Sequence, residues 1–251
     1  MKVCAFVLHL GRAAERRGNA QKLLETCGLD GEIWPAVDGA ELSAEQIDAV
    51  YRPRLFRPHY PFHLRNGEIG AFLSHRQIWS AIVERDLDAA LILEDDVALD
   101  QPLFASARDL GLKHVGRLGY IKMSTRAPKG RLRPIDQQAG ATLVQAENPG
   151  LGATAQLVSR DGAARLIQDC KTFDRPIDTF VQSHWFTGLI PSTVYPSGVA
   201  HIDEELAGST IQTHNRGLVE KLHREIQRGR YRSAVRRFSH SSGAPMAAPK
   251  T

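Results

Sequence analysis

Ala89-Ala90-Leu91-Ile92-Leu93-Glu94-Asp95-Asp96-Val97 is the stretch from which the fold of this chain is predicted. Five apolar residues between charged neighbours are typical of a strand buried on both faces of a sheet. Three adjacent carboxylates at the end of that strand collect negative charge at one edge of the sheet. Because Mg²⁺ and Mn²⁺ prefer oxygen ligands, the stretch predicts a divalent-cation site. The alternative is a solvated turn in which one aspartate caps the next helix.

The patterns on either side of this stretch alternate between strands and helices, which is typical of the α/β class. Strands are predicted over residues 3–10, 33–37, 118–123, 155–158 and 193–199. Helices are predicted over residues 13–27, 43–51, 67–84, 101–110, 160–170 and 178–186. At 251 residues and 42% hydrophobic content, the chain can bury the core of one large domain.

The three cysteines, Cys4, Cys27 and Cys170, are far apart in sequence and odd in number. Such usage argues against a disulfide framework and predicts a reducing, cytoplasmic location. The first ten residues resemble a first strand more than a signal peptide. No apolar run approaches the roughly 18 residues that a membrane span needs.

The positive charge is concentrated in the last 36 residues. The chain has a net charge of +4, but residues 216–251 hold nine Lys/Arg against two Glu, a net charge of +7. Residues 1–215 hold 23 Lys/Arg and 26 Asp/Glu, a net charge of −3. We therefore predict a globular domain over residues 1–215 and a basic helical extension with a flexible tail over residues 216–251.

Five apolar residues are interleaved with the basic ones in this extension: Leu222, Ile226, Tyr231, Val235 and Phe238. The pattern predicts an amphipathic helix that binds an anionic membrane surface. The alternative is a solvated helix followed by a loose end. No nucleic-acid-binding motif accompanies the basic residues, so nucleic acid is not expected as a partner.

The long segment 52–66 has no helical or strand periodicity and contains three prolines, four arginines and two histidines. Loops of more than about 12 residues are usually functional or disordered, and we predict that this one covers a substrate. In the helix that follows, Glu68 and His75 fall within about 40° of the same direction. A carboxylate and an imidazole would thus share one edge of its buried face. Alternatively, His75 is a histidine at the edge of the core with a backbone partner.

Six stretches follow one another in order along the chain. They are Leu10-Gly11-Arg12 with Arg16 downstream, Ala36-Val37-Asp38-Gly39, Gly67-Glu68-Ile69-Gly70-Ala71-Phe72-Leu73-Ser74-His75, Leu91-Ile92-Leu93-Glu94-Asp95-Asp96, Leu157-Val158-Ser159-Arg160-Asp161-Gly162-Ala163 and Pro176-Ile177-Asp178. Together they resemble glycosyltransferase family 25, which includes bacterial lipopolysaccharide and lipooligosaccharide glycosyltransferases and collagen galactosyltransferase domains, and the resemblance covers roughly residues 3 to 211. The sequence departs from the family's pattern at His9, and Ala71 stands where a cysteine is common.

The resemblance implies a GT-A fold, a Rossmann-like α/β/α sandwich with a mostly parallel central sheet. It also implies a nucleotide-sugar donor, most simply a UDP-sugar, bound together with Mn²⁺ or Mg²⁺. Such an ion stabilises the negative charge that grows on the diphosphate as the sugar leaves. Asp96 is the first choice as a direct metal ligand. Asp95 or Glu94 would bind metal-bound water or the donor's ribose, and the spacing leaves this assignment open.

Arg12 and Asp38 follow the first two predicted strands, at the place where open α/β sheets bind ligands. Arg12 would pair with a phosphate or stack on the base. Asp38 would accept a hydrogen bond from the ribose or from a base N–H. The alternatives are a surface arginine and a turn aspartate.

An inverting transferase also needs a group that takes the proton of the acceptor hydroxyl. Asp178 is the preferred general base, and the alternative for it is a plain helix N-cap. Glu68 is the second choice as base, and its preferred role is to orient the donor sugar alongside His75.

The sequence therefore predicts a metal-dependent inverting glycosyltransferase. It would move a hexose, galactose from UDP-galactose, onto a lipopolysaccharide or lipooligosaccharide core or another cell-surface saccharide. Its location would be cytoplasmic and peripheral to the inner face of the bacterial inner membrane. The alternative is a catalytically degenerate nucleotide-sugar-binding module of a polysaccharide-assembly complex.

Overall fold

The computed structural model describes residues 1–202 and 218–241. The strands are β1 (Val3–His9), β2 (Gly31–Pro35), β3 (Ala89–Glu94), β4 (Val97–Leu99), β5 (Tyr120–Met123), β6 (Leu132–Gln138), β7 (Ala141–Ala146), β8 (Ala155–Ser159), β9 (Ser192–Tyr195) and β10 (Val199–His201). The helices are α1 (Arg17–Thr26), α2 (Ala44–Val50), α3 (Asn66–Glu84), α4 (Gln101–Leu118), α5 (Arg160–Asp169), α6 (Ile177–Gln182), α7 (His184–Thr187) and α8 (Leu218–Ser241).

Eight strands form one sheet in the order β2-β1-β3-β8-β5-β9-β7-β6. β1 pairs in parallel with β2 and β3, and β5 pairs in parallel with β9. The other pairings are antiparallel, because β7 and β8 run against the remaining six strands. The predicted α/β class is confirmed, with a sheet that points mostly in one direction and contains two reversed strands.

Helices cover both faces of the sheet, and β1 accordingly has apolar residues on both of its faces. Its residues Phe6 and Leu8 belong to the core shared with α3 and α5, whereas Ala5 and Val7 belong to the core shared with α1 and α4. A strand that is buried on both faces has to be apolar throughout. β3 follows the same rule, which explains the uninterrupted apolar run that ends at the carboxylates.

α4 is longer than predicted, because the predicted helix ended at Leu110 whereas α4 runs to Leu118. The reason lies at Gly111, inside the helix. A Cβ at this position would lie 2.5 Å from Leu157 Cδ1 on β8. The glycine therefore serves the close packing of a helix on the sheet and does not mark the end of a helix.

Two further predictions on the chain's elements were wrong. The single helix expected over residues 178–186 is two short helices, α6 and α7, which meet at Ser183. The last predicted strand stops at Tyr195, and a separate strand β10 then pairs antiparallel with β4. Strands of three residues such as β4 and β10 are too short to show a period of their own in the sequence.

The turn after β2 is fixed against the start of α3 by two glycines. A Cβ at Gly70 would lie 2.6 Å from Val37 O, and a Cβ at Gly39 would overlap the backbone at the start of α3. Ser74 Oγ accepts a hydrogen bond from Val37 N at 2.8 Å. The two segments pack backbone to backbone, and Asp38 lies beside the first turn of α3 as a result.

α8 packs against residues of the 52–66 segment and of α7. Val235 is 3% exposed, and the ring of Tyr231 lies 5.4 Å from that of Tyr60. No helix within the described ranges is long and apolar enough to cross a membrane. The predicted boundary between residues 215 and 216 and the predicted tail after residue 241 lie outside the described residues, so the division into two domains stays a prediction.

Candidate active site

The acidic stretch leaves β3 at the carboxyl edge of the sheet, beside the end of β1. Leu8 pairs with Glu94 in the register of these strands, which places His9 next to Asp95. His9 Nδ1 and Asp95 Oδ2 are 2.7 Å apart, and both residues are buried. Arg16 Nη1 lies 3.5 Å from Asp95 Oδ1. Both carboxylate oxygens of Asp95 are therefore held by side chains of the protein itself.

The backbone around Asp96 is also fixed. Asn19 Nδ2 on α1 donates to Asp95 O at 2.8 Å and to Val97 O at 2.9 Å. Ile202 N donates to Asp96 O at 3.0 Å. By contrast, Asp96 Oδ1 is buried and has no hydrogen-bond partner among the described residues. Since a buried polar atom without a partner is costly, this oxygen is available to a ligand that residues 1–202 and 218–241 do not supply.

A hard cation is one ligand that such an oxygen fits. Within residues 1–202 and 218–241 no group of three His, Cys, Asp or Glu residues could hold a metal ion alone. Mg²⁺ characteristically binds through one or two protein carboxylates together with substrate phosphates. Asp96, with Glu94 beside it, matches that smaller donor set, in which a phosphate-bearing ligand would supply the remaining oxygens.

Glu94 has an unusual titration for a carboxyl group. Burial raises its pKa to about 8, and the carboxylates of Asp96, Asp178 and Asp95 add to the shift, whereas Arg16 opposes it. At neutral pH the side chain therefore stays largely uncharged unless positive charge is added beside it. The three neighbouring acids are thus not equivalent: Asp95 is bound by partners, Asp96 Oδ1 has no partner among the described residues, and the pKa of Glu94 is raised.

Arg12 and Asp38 meet in the structure as an ion pair. Arg12 Nε lies 2.9 Å from Asp38 Oδ2, and Asp38 Oδ1 accepts a hydrogen bond from Ala40 N at 2.9 Å. The Arg12 side chain is 53% exposed and that of Asp38 is 12% exposed. Asp38 thus orients an arginine whose guanidinium still faces solvent at the carboxyl ends of β1 and β2. This arrangement leaves Arg12 able to contact a ligand.

Glu68 and His75 lie on α3 as predicted, but each already has a structural partner. Glu68 Oε2 accepts a hydrogen bond from Arg65 N at 2.8 Å and so caps the helix. His75 is 1% exposed, and its Nδ1 lies 2.9 Å from Ala71 O. Its Nε2 lies 3.4 Å from Ala153 O, and burial lowers the pKa of the His75 ring. His75 thus has backbone partners, as the alternative states, and its role beside the donor sugar stays a prediction.

Asp178 lies at the start of α6. Its Oδ1 accepts from Thr179 N at 2.7 Å, and its Oδ2 accepts from Gly152 N at 3.1 Å. Nearby, Lys122 on β5 is 6% exposed and donates to Gly150 O at 2.5 Å. Burial lowers the pKa of Lys122 to about 8, and the Asp178 carboxylate partly opposes the change. Asp178, in the first turn of α6, thus accepts hydrogen bonds from backbone N–H groups, but the N-cap of this helix is Pro176 and Asp178 does not cap it.

One open pocket of about 1100 Å³ joins these features. Six predicted site residues line it: Arg12, Glu68, His75, Glu94, Asp95 and Asp96. Asp38 is paired with the lining residue Arg12 but does not line the pocket itself, and neither does Asp178. The segment predicted to cover a substrate contributes five residues to the wall: Tyr60, Phe62, His63, Arg65 and Asn66. The structure therefore brings together most of the residues that the sequence pointed to.

Several residues of this site were missed by sequence reasoning. His9 was set aside as a departure from a pattern, although the parallel register of β1 and β3 would place it beside the acidic stretch. Lys122 gave no signal, because it lies in a short apolar strand. Arg224 and Arg228 on α8 line the pocket as well, and only the basic composition of the extension hinted at them.

The fold and the pocket together define an α/β protein with a ligand site at the carboxyl ends of its parallel strands, lined by the acidic stretch 94–96. Open α/β sheets bind nucleotides at this place. A sequence model of glycosyltransferase family 25 (LPS biosynthesis protein) matches residues 3–181. The chain belongs to glycosyltransferase family 25.

Animal proteins are among the relatives of this chain. It is 42% identical over 186 residues to a glycosyltransferase 25 family member of Drosophila melanogaster, an alignment that covers 70% of this chain and 29% of that protein. It is 27% identical over 192 residues to human procollagen galactosyltransferase 2, again covering 70% of this chain and 29% of the relative. The chain thus spans less than a third of the length of these relatives.

A third relative differs in its name. The chain is 35% identical over 98 residues to the human inactive glycosyltransferase 25 family member 3, an alignment that covers 38% of this chain and 16% of that protein. Proteins described as galactosyltransferases and one described as inactive thus both resemble this chain, and membership of the family alone does not decide between transfer and binding.

Proposed function

We propose that this protein transfers a hexose from a nucleotide-sugar donor to a saccharide acceptor, with a divalent cation bound at Asp96. The observation that carries the proposal is the buried Asp96 Oδ1, which has no hydrogen-bond partner in the described part of the chain and lies at the floor of a pocket large enough for a nucleotide sugar. Asp95 takes no part in ligand binding beyond positioning, because His9 and Arg16 already hold its carboxylate.

The nucleotide end of the donor lies at the exits of β1 and β2. Arg12 contacts the donor there through its exposed guanidinium, and Asp38 holds that guanidinium in place. When bound, Mn²⁺ or Mg²⁺ would neutralise the charge on the leaving diphosphate. Asp96 is its ligand in this proposal, with Glu94 as a second carboxyl group that ionises once positive charge arrives. The acidic floor alone would repel a diphosphate.

Transfer with inversion requires a base on the acceptor side, for which two carboxylates remain. Glu68 lines the pocket, whereas Asp178 is not among the lining residues and both of its carboxylate oxygens accept hydrogen bonds from backbone N–H groups. The geometry supports Glu68 more directly, although Asp178 was the preferred candidate from sequence. Glu68→Gln and Asp178→Asn separate the two, because only loss of the base lowers transfer to acceptor while UDP binding stays unchanged.

The donor and the acceptor are finer parts of the same proposal. We propose UDP-galactose as the donor, supported by relatives that are named procollagen galactosyltransferases. We propose a lipopolysaccharide or lipooligosaccharide core, or another cell-surface saccharide, as the acceptor, supported by the description of the family model as an LPS biosynthesis protein. The cytoplasmic location next to the inner face of a bacterial membrane stays a prediction.

The predicted membrane contact of the extension has less support. Two of its five apolar residues, Tyr231 and Phe238, contact aromatic rings of the protein, and a third, Val235, is buried. Ile226 is 48% exposed, and the side chain of Leu222 lies outside the described residues. The apolar side of the described helix is therefore largely used for internal packing.

Release of UDP from a panel of UDP-sugars, with and without Mn²⁺, tests the proposal. We expect release from UDP-galactose that depends on metal, increases with a saccharide acceptor and is lost in Asp96→Asn. An anomeric configuration of the product opposite to that of the donor, read by NMR, is expected for single displacement. Retained configuration would contradict inversion, and metal-independent turnover would contradict the role of Asp96.

A second candidate function is a catalytically degenerate nucleotide-sugar-binding module, favoured by the resemblance to a relative described as inactive. In that case UDP-galactose binds, and Asp96→Asn weakens the binding, but no UDP is released with any acceptor. Calorimetric binding and UDP release measured on the same preparation therefore distinguish a transferase from a binding module.

A further inference from the structure

The pocket has a wall that comes from the C-terminal helix. Arg224 and Arg228 lie one turn apart on α8 and line the pocket together with Phe62. The Arg224 guanidinium lies 4.4 Å from the centre of the Phe62 ring, and that of Arg228 lies 5.8 Å from it. Stacking on an aromatic face orients a guanidinium while its N–H donors remain available at the edges.

The helix that carries these arginines is anchored further along. Tyr231 OH lies 3.2 Å from Nη1 of the fully buried Arg175. Ser239 Oγ donates to Glu147 O at 2.6 Å and lies 2.7 Å from His184 Nε2. These contacts lie on the C-terminal side of the two arginines. The basic wall is therefore held by the protein at one end and projects over the pocket at the other.

The charges around the pocket indicate which kind of ligand this wall can bind. The pocket floor carries the acidic stretch 94–96, and two of the other lining arginines, Arg12 and Arg16, already contact Asp38 and Asp95. Arg228 is paired with Glu225 one turn earlier on its own helix, in an ion pair whose two side chains are about half exposed. Such an exposed pair is weak, and a doubly charged oxyanion would replace it readily.

We propose that Arg224 and Arg228 form a phosphate-binding wall, with Phe62 as the platform that orients them. The phosphate group belongs either to the donor's diphosphate or to a phosphorylated saccharide acceptor, since both present the same oxyanion. That the bound molecule is a substrate rests on the proposed function. The binding itself does not, because it requires no turnover.

The test compares two double variants that remove the same charge from the same helix. R224Q/R228Q removes the pocket arginines, and R236Q/R237Q removes two exposed arginines that do not line the pocket. Both should remain folded, since the anchors at Tyr231 and Ser239 are kept, and R224Q/R228Q should melt at most slightly lower through loss of the contacts with Phe62. Calorimetry with Mn²⁺ then measures UDP binding in one arm. The other arm measures binding of a hexose 6-phosphate, against the uncharged hexose, at saturating UDP.

We expect R224Q/R228Q to lower the affinity for one of these two ligands by at least about tenfold, because charge-assisted hydrogen bonds are lost. R236Q/R237Q should change neither affinity. Weaker UDP binding assigns the wall to the donor. Weaker hexose-phosphate binding with unchanged UDP binding assigns it to the acceptor. Equal loss in both double variants would show a long-range charge effect only and would overturn the proposal, as would two unchanged affinities or a wild type that binds neither probe.

The phosphate-binding wall and the proposed transferase function can fail independently, and the measurements distinguish the two cases. A wild type that binds UDP through these arginines but never releases it from UDP-galactose would refute transfer and keep the phosphate-binding wall. A wild type that transfers galactose while R224Q/R228Q binds and turns over normally would keep the transferase and refute the wall.

Discussion

The two sides of the pocket are built in different ways. On the strand side, the ends of β1, β2 and β3 place Arg12, Asp38 and the stretch 94–96 through backbone pairing in a parallel sheet. On the helix side, Phe62 and Arg224 come from distant parts of the chain and meet through side-chain contacts alone. The strand side is therefore fixed by topology, and the helix side depends on a few polar anchors that single substitutions can remove.

The largest effect is expected on the helix side, at the side chain that ties it together. Arg175 is fully buried and contacts the Asp174 carboxylate at 2.7 Å, Phe56 O at 2.9 Å, Pro58 O at 3.1 Å and Tyr231 OH at 3.2 Å. Arg175→Met leaves the buried Asp174 carboxylate without its cation. Such a loss costs about 4 kcal/mol of unfolding free energy, measured by urea denaturation.

A double variant serves as the control for this substitution. Asp174→Leu combined with Arg175→Met removes both charges, so it should be more stable than Arg175→Met alone, because no unpaired buried charge remains. If Arg175→Met costs less than about 1 kcal/mol, the helix side does not depend on this anchor and the contrast between the two sides fails.

The next effect is expected on the strand side and concerns activity. Asp96→Asn keeps the shape of the side chain but removes the charge on the buried Oδ1. We expect metal-dependent transfer to fall about 100-fold or more, equivalent to about 3 kcal/mol in the barrier. Stability without ligand should not fall, because Asp96 Oδ1 makes no hydrogen bond to any described residue and its acidic neighbours repel it. A rate above a tenth of wild type would exclude Asp96 as the metal-binding group.

The strand side of the pocket could be predicted from the sequence better than the helix side. The strand ends were predictable, because apolar runs and charged exits show where β1 and β3 stop, and parallel strands bring those exits to one edge. Glu68 and His75 were predictable as neighbours on α3 through helical periodicity. Arg12 and Asp38 were predicted at two neighbouring strand exits, but their ion pair was not predicted.

The helix side could not be predicted, for a physical reason. No local pattern indicates that Arg224 stacks on Phe62, because the contact depends on how the whole of α8 docks. The apolar residues that suggested a membrane surface, such as Tyr231 and Val235, are the same ones that dock the helix. An amphipathic pattern shows that one face is covered and leaves the partner open.

Asp95 provides a smaller, purely structural test of the strand side. Its carboxylate bonds His9 at 2.7 Å and lies 3.5 Å from Arg16. Asp95→Ala removes the acceptor of the buried His9 and the carboxylate beside Arg16, and we expect a loss of about 2 kcal/mol in unfolding free energy. Asp96→Ala is the matched neighbour and should lose less than half as much. Equal losses in thermal or urea unfolding would show that the two aspartates do not divide positioning and binding between them.

The smallest effect is expected from Tyr231→Phe, which removes one hydroxyl from the helix side and keeps the ring. The hydroxyl lies 3.2 Å from Arg175 Nη1, and Arg175 keeps its other partners, so the loss should be about 1 kcal/mol. The packing of the ring on Tyr60 remains, so α8 stays docked. Hydrogen exchange should show faster exchange in α8 and no change in β1 or β3. If β1 and β3 also exchange faster, the two sides of the pocket unfold together and are not independent parts.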